Sequence, residues 1–332
     1  MADRNLQVRL RRLPVGLPEE TDFVLREAPV PEAGPGEFVC RTLYLSLDPY
    51  VRALMSGRHF LGTPKAGDLM PSRTVADIVT SQNADWAVGE TVALETGMQN
   101  YCVSDGTDVR RARTGTAPVS TALGVLGTPG LTAYAGLTQI SELKPGETIL
   151  VSAASGPVGC MVGQIARIMG AITIGIAGSD EKCRWAREAA GFEDCINYKT
   201  EALSDRIKEL RPDGIDVYFD NAGGDVLNKV IRHHLARNAR IILCGLIAQY
   251  NLADPPPGPN LGPLMGARAR ILPLIVYDFE HLREEFEDRA VAWYAEDRIN
   301  YLEDVVEGIE NAPAQFAKLM RGENFGKTLV KV

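Results

Sequence analysis

The residues best suited to chemistry in this 332-residue chain begin with a run of small side chains, Ala154-x-Gly156-x-x-Gly159, lying between two apolar stretches. Small residues at that spacing let a backbone approach a pyrophosphate and let a helix lie close on the strand before it. The N-terminus of such a helix offers unpaired N–H groups and a positive dipole end to phosphates. The first position is Ala154 rather than Gly, so an ordinary strand-to-helix turn is the competing reading. A second candidate is Lys182, just beyond the neutral strand end Ala177-Gly178-Ser179. A carboxylate at that end would accept from an NAD ribose, whereas a cation there suits the 2′-phosphate of NADP(H). Asp180 and Glu181 are the alternative, since either would hold an NAD ribose. The third candidate is Tyr250, which follows an apolar run at the carboxyl edge where ligands bind in open α/β sheets. Its phenol can donate to a developing oxyanion, and it can equally be a cofactor contact or lid residue. The four histidines, His59, His233, His234 and His281, stand at no zinc-ligand spacing with Cys or Glu, and no cysteine cluster is present.

The elements that must position these residues follow from periodicity. Up to residue 123 the chain reads as short strands between Pro and Gly turns, beginning with the alternation Leu6, Val8, Leu10, and it implies a compact, partly barrel-like β-rich domain. The breakers Gly127, Pro129 and Gly130 mark a boundary, with a helix expected from Leu131 onward. Strands then alternate with helices: strands over 148–153, 172–177, 195–198, 215–220, 240–246 and 271–276, helices over 180–190, 201–210 and 225–235. Val158, Met161, Val162, Ile165, Ile168 and Met169 give the helix after the small-residue run one apolar stripe. Right-handed crossovers make this a doubly wound parallel sheet. Residues 251–262, NLADPPPGPNLG, form a loop or lid. The closing FGKTLVKV reads as a strand that returns to the first domain. The expected division is therefore 1–123 with 296–332 as the β-rich substrate and catalytic domain, and 124–295 as the NADP-binding domain.

Composition bounds the partners. A formal net charge of −8 argues against nucleic acid or an anionic membrane. The six cysteines are scattered singly, as in a reducing cytosol. The Arg-rich start lacks the apolar core of a secretory signal, and no run is long enough to span a bilayer. A soluble cytoplasmic protein is the expectation.

Several segments carry a family resemblance: LSLDPYVR (45–52), GTPGLTAYAGL (127–137), SAASGPVGCMVGQIA (152–166), AGSDEKC (177–183), INYKT (196–200), YFDNAGG (218–224), ILCGLIAQYN (242–251) and GENFGKTLVK (322–331). With these the chain resembles the zinc-free medium-chain dehydrogenases/reductases, in the branch of prostaglandin reductases, 2-alkenal reductases and curcumin reductases. The resemblance implies an α/β protein with a Rossmann-type doubly wound parallel sheet domain and a β-rich, GroES-like catalytic domain. It implies NADP(H) held at Gly156, Pro157, Val158 and Gly159 on the pyrophosphate and at Lys182 on the 2′-phosphate. Further contacts are implied from Tyr198, Asn221, Cys244, Gly245, Leu246, Ile247, Tyr250 and Asn324, with Leu274, Ile275 and Val276 beside the nicotinamide. It makes Tyr50 a second catalytic candidate, with Asp48 and Arg52 read as structural, and it suggests a homodimer through the strand near 271–276. Two segments depart from the pattern, PSRTVADIV (71–79) and Met98, and both bear on the substrate mouth.

The activity so implied is reduction of the C=C bond of hydrophobic α,β-unsaturated ketones and aldehydes. Hydride delivery to the β-carbon needs only a donor for the developing enolate, without a Lewis acid. Two rivals stand beside it. A quinone reductase would turn over quinones without enones, and a regulatory NADP-binding protein would bind cofactor without turnover.

Overall fold

The computed structural model describes residues 4–332. In chain order the elements are β1 (Asn5–Leu10), β2 (Phe23–Ala28), β3 (Phe38–Ser46), α1 (Tyr50–Met55), β4 (Arg73–Ser81), β5 (Thr91–Glu95), β6 (Tyr101–Ser104), β7 (Arg110–Arg111), α2 (Thr128–Ala135), β8 (Thr148–Ser152), α3 (Pro157–Ile168), β9 (Ile172–Ala177), α4 (Asp180–Glu188), β10 (Asp194–Asn197), α5 (Leu203–Leu210), β11 (Ile215–Asp220), α6 (Gly224–His233), β12 (Leu235–Leu243), α7 (Ile247–Tyr250), α8 (Gly262–Ala267), β13 (Arg270–Pro273), α9 (Arg283–Ala295), β14 (Glu303–Glu307), α10 (Ala312–Met320) and β15 (Lys327–Lys331). They divide into two compact units, 1–123 with 303–332 and 124–302. Residue 295 is the end of α9, and the second unit runs on to Leu302.

The first unit is built on a seven-stranded sheet in the order β14-β15-β3-β4-β5-β7, with β6 pairing the free half of β3, and a separate β1-β2 hairpin. The C-terminal β15 pairs antiparallel with β3, Leu329 opposite Ser46, and parallel with β14. Phe38, Cys40, Ile78, Val92 and Leu94 form one buried cluster there, and Val75, Leu123 and Leu329 another.

The second unit carries a six-stranded sheet in the order β10-β9-β8-β11-β12-β13, every neighbour parallel. Strand order reverses between β8 and β11, the switch point at which such sheets bind ligands. All five residues of β8 are buried, which explains its unbroken apolar run. On α3 the apolar stripe lies inward, with Met161, Val162 and Ile165 at most 1% exposed. Gly163 of that helix is pressed on the ring of buried Phe192, so near that an added Cβ would lie 2.0 Å from it.

The bounds of several elements differ from the sequence expectation, the strand over 271–276 among them, which ends at Pro273, and two of the differences have a readable cause. The helix expected from Leu131 begins at Thr128: Gly127 is its N-cap and Pro129 lies in its first turn, where no N–H is needed. Gly130 is required for close packing, since a Cβ there would meet Val125 O at 2.1 Å and the Phe286 ring at 2.4 Å. The strand expected over 240–246 runs from Leu235 to Leu243. It ends because Cys244 and Gly245 N–H both turn to Asp220 O, at 2.9 and 3.1 Å. No helix among the described residues is long and apolar enough to cross a membrane.

Candidate cofactor and active site

At the carboxyl end of β8 the chain turns through Ala153, whose φ is +53°, and Gly156 N–H donates to Ala153 O at 2.9 Å. Gly156 is then the extended N-cap of α3, and no side chain caps this helix. Pro157 has no N–H, so the first-turn donors are those of Val158 and Gly159. Gly159 faces the turn so closely that a Cβ would stand 2.2 Å from Ala153 O. A helix N-terminus with no internal cap and no side-chain bulk around it fits a pyrophosphate.

The end of β9 is different, because here the following helix is capped: Ser179 Oγ accepts from Lys182 N–H at 3.2 Å. Lys182 leaves the first turn of α4 half-buried. Asp180, one of the two rival acceptors for an NAD ribose beside Glu181, already accepts from Asn197 Nδ2 at 2.6 Å. Tyr198 stands 46% exposed beside Gly178, and a Cβ on that glycine would lie 3.4 Å from its hydroxyl. The same position lies 3.3 Å from Cε of exposed Lys199, a second cation that the motif reading passes over. Its adjacency to Tyr198 in sequence was the available signal.

The remaining loops of this edge are tied to one buried carboxylate that sequence reasoning also misses. Asp220 Oδ1 accepts from Tyr218 Oη at 2.7 Å, Gly223 N at 2.9 Å, Ala222 N at 3.0 Å and Ser152 Oγ at 3.1 Å. Asn221 is fixed next to it, with its N–H on Ser152 Oγ and its Nδ2 on Ser152 O, both at 2.8 Å. Burial pushes the Asp220 pKa up, against the pull of those donors. Over the next loop, burial pushes the Cys244 thiol up to about 12, which leaves it an unreactive thiol. Tyr250 closes the short α7: its phenol oxygen accepts from Leu246 N–H at 3.2 Å, leaving the O–H proton available to a ligand. Burial, opposed by that bond, raises its pKa. Leu274 N–H extends the sheet to Leu243 O at 3.0 Å, and its side chain is buried while Ile275 is 41% exposed. Gly156 to Gly159, Lys182, Tyr198, Asn221, Cys244 to Ile247, Tyr250 and Leu274 to Val276 thus all lie at the carboxyl ends of one parallel sheet.

Tyr50 and Asn324 belong to the first unit. Asn324 Nδ2 donates to Gly326 O at 3.0 Å, shaping the turn into β15. Tyr50 opens α1, half-buried, with the Arg73 guanidinium 5.2 Å from its ring centre and the His59 ring at 5.6 Å. The loop leading to it is held from below. Buried Lys327 donates to Asp48 Oδ1 at 2.7 Å and Leu47 O at 3.2 Å, and Ser46 Oγ donates to Asp48 Oδ2 at 2.5 Å. Burial alone would raise the Asp48 pKa, but Lys327 and Arg73 outweigh it and hold the carboxyl below its ordinary value. Arg52 is buried and donates to Gly16 O and Pro14 O. Arg73 comes from the departing PSRTVADIV segment, which was the signal for it. Among the described residues no group of three His, Cys, Asp or Glu stands where it could hold a metal ion.

Known proteins set the class. Residues 6–112 match the family described as the N-terminal domain of oxidoreductase, and residues 157–296 match zinc-binding dehydrogenase. The chain is 40% identical over 336 residues to NADPH-dependent curcumin reductase of Escherichia coli, covering 99% of this chain and 97% of that one. It is 39% identical over 323 residues to prostaglandin reductase 1 of Bos taurus, covering 96% of each. The crystal structure of CurA in complex with NADPH from Vibrio vulnificus superposes with a TM-score of 0.92 at 39% identity, covering 98% of this chain and 99% of that one. The chain is an oxidoreductase of the medium-chain dehydrogenase/reductase superfamily. Within it, the chain belongs to the branch of prostaglandin, 2-alkenal and curcumin reductases.

Proposed function

We propose that this protein is an NADPH-dependent reductase of the C=C bond of α,β-unsaturated ketones and aldehydes, acting on small hydrophobic substrates. The observation that carries the reading is the uncapped N-terminus of α3, without side-chain bulk around it, beside a β9 end where Asp180 is already engaged by Asn197. Gly156, Pro157, Val158 and Gly159 hold the pyrophosphate and Lys182 the 2′-phosphate, with Lys199 and Tyr198 beside it. Asn221, the segment from Cys244 to Ile247, Leu274 to Val276 and Asn324 make the further contacts. When bound, the cofactor supplies a hydride to the substrate β-carbon.

The chain's own part is to hold the negative charge that then develops on the carbonyl oxygen. Tyr250 donates its free O–H proton, because its oxygen already has a partner in Leu246 N–H. Tyr50 is the second donor, its ring fixed by Arg73 and its loop by the Lys327–Asp48 pair. The first unit carries the substrate and Tyr50, and the second carries the cofactor and Tyr250. A cytoplasmic homodimer joined through the β13 edge is part of the same reading.

The test is NADPH oxidation with a trans-2-alkenal, an enone and a quinone, each repeated with NADH and with Lys182→Ala. Enal and enone turnover preferring NADPH, with the preference lost in Lys182→Ala, supports the reading. Quinone-only turnover supports a quinone reductase, and binding without turnover a regulatory protein.

A further inference from the structure

Asp220 is 0% exposed, and among the described residues it makes no ion pair. A buried carboxylate with no cation is costly unless its charged form is fully hydrogen-bonded, and here four donors converge on Oδ1. Two of these donors, Ala222 and Gly223 N–H, are backbone amides that cannot turn round to accept from a neutral acid. The one group facing Oδ2 is the same Gly223 N–H, shared at 3.1 Å, so a proton on Oδ2 would meet no acceptor. The geometry therefore holds a fixed negative charge. The titratable groups that face it are Tyr218 on its own strand and Cys244 and Tyr250 on the loop after β12, all with raised pKa values and thus neutral at physiological pH.

We propose that Asp220 is a positioning residue whose buried charge makes this site favour the oxidised over the reduced cofactor. The inference rests on the cofactor reading above. The nicotinamide ring carries a positive charge in NADP⁺ and none in NADPH, while every other part of the cofactor is the same. A lone negative charge beneath the loops at 221–224 and 244–250 therefore acts on one redox state only. By linkage, a site that favours the oxidised form makes the reduced form a stronger hydride donor.

Asp220→Asn removes the charge while its amide oxygen keeps the four Oδ1 donors; its Nδ2 then faces Gly223 N–H, a cost common to both redox states of the cofactor. The experiment is the pair of dissociation constants for NADP⁺ and NADPH, by fluorescence titration, in wild type and Asp220→Asn. NADP⁺ affinity falls between about three-fold and tenfold more than NADPH affinity, the span one unit charge exerts on another about 10 Å away at an effective dielectric of about 25 to 50. Ser152→Ala removes a donor and leaves the charge, so it shifts both constants by one common factor. If Asp220→Asn fails to fold, Asp220→Ser gives the same comparison, since it too keeps an acceptor oxygen without charge. Equal loss for both cofactors in the uncharged variant, or greater loss for NADPH, overturns the inference. Wild type that binds neither cofactor overturns the cofactor reading itself, and the inference with it.

Discussion

Gly159→Ala tests the phosphate cradle where the structure is least forgiving. The added methyl would stand 2.2 Å from Ala153 O, 2.9 Å from Ala153 C and 3.0 Å from Ala154 Cα, all backbone atoms that no rotamer change can clear. Either α3 withdraws from β8 or the turn at Ala153, already at positive φ, deforms. Overpacking of this kind costs about 1–3 kcal/mol, and about 1 kcal/mol lowers Tm by roughly 2–4 °C in a unit of this size. Withdrawal also carries the Val158 and Gly159 N–H groups away from the pyrophosphate. Charge-assisted bonds are each worth about 1.5–3 kcal/mol, so losing one weakens NADPH binding by roughly ten- to a hundred-fold. Gly163→Ala, on the same helix, is the control. Its methyl would meet the Phe192 ring at 2.0 Å in the core, so Tm falls comparably while cofactor affinity stays within about two-fold of wild type. Thermal melts and fluorescence titration of both variants decide the matter. Gly159→Ala with wild-type NADPH affinity would refute the cradle.

Other expectations follow from the first unit and from Tyr250. Lys327→Met leaves buried Asp48 without the cation that contacts it, with only Arg73 acting from farther off, and costs about 3 kcal/mol in urea unfolding; adding Asp48→Asn recovers most of it. Asp48 titrates below its unfolded value of about 3.9, so its stabilising contribution is complete above that pH and is lost as pH falls through the folded value. Urea midpoints between pH 6 and pH 3 therefore fall more steeply in wild type than in Asp48→Asn. Tyr250→Phe lowers kcat and kcat/KM together, by on the order of a hundred-fold if the lost donor is worth about as much as one oxyanion-hole bond. Because burial raises the Tyr250 pKa above 10, the wild-type rate shows no basic limb from this group below about pH 9. A limb near pH 7 that disappears in Tyr250→Phe would contradict that assignment.

What the sequence made legible depended on how local each determinant was. The parallel strands were readable because burial on both faces leaves an unbroken apolar run, as in TILVS of β8 and ITIGIA of β9. The glycine turn and α3 were readable because close approach demands Gly159, and because Val158, Met161, Val162 and Ile165 repeat at helical spacing. Boundaries set by contacts distant in sequence were not. Nothing near Leu246 says that its strand stops at Leu243, because the cause is Asp220 O, more than twenty residues earlier. Gly127, Pro129 and Gly130 look like breakers, and only the proximity of Val125 O and Phe286 shows why a helix begins there. The site divided the same way. The motif carried Gly156, Gly159 and Lys182, whereas the Asp220 hub and the Arg73–Tyr50 contact join residues that only the folded chain brings together. His234, just past the end of α6, is buried with its Nε2 unpartnered among the described residues, a burial that nothing in the neighbouring sequence announces.

Hydride delivery to the β-carbon of a conjugated C=C bond is the step on which the proposed activity turns. Its most direct test is one turnover experiment with NADPH deuterated at C4 and a trans-2-alkenal, with the product read by NMR. The expected product is a saturated aldehyde carrying deuterium on the β-carbon. Deuterium on the former carbonyl carbon of an allylic alcohol would contradict it, and with it the enolate-stabilising roles given to Tyr250 and Tyr50.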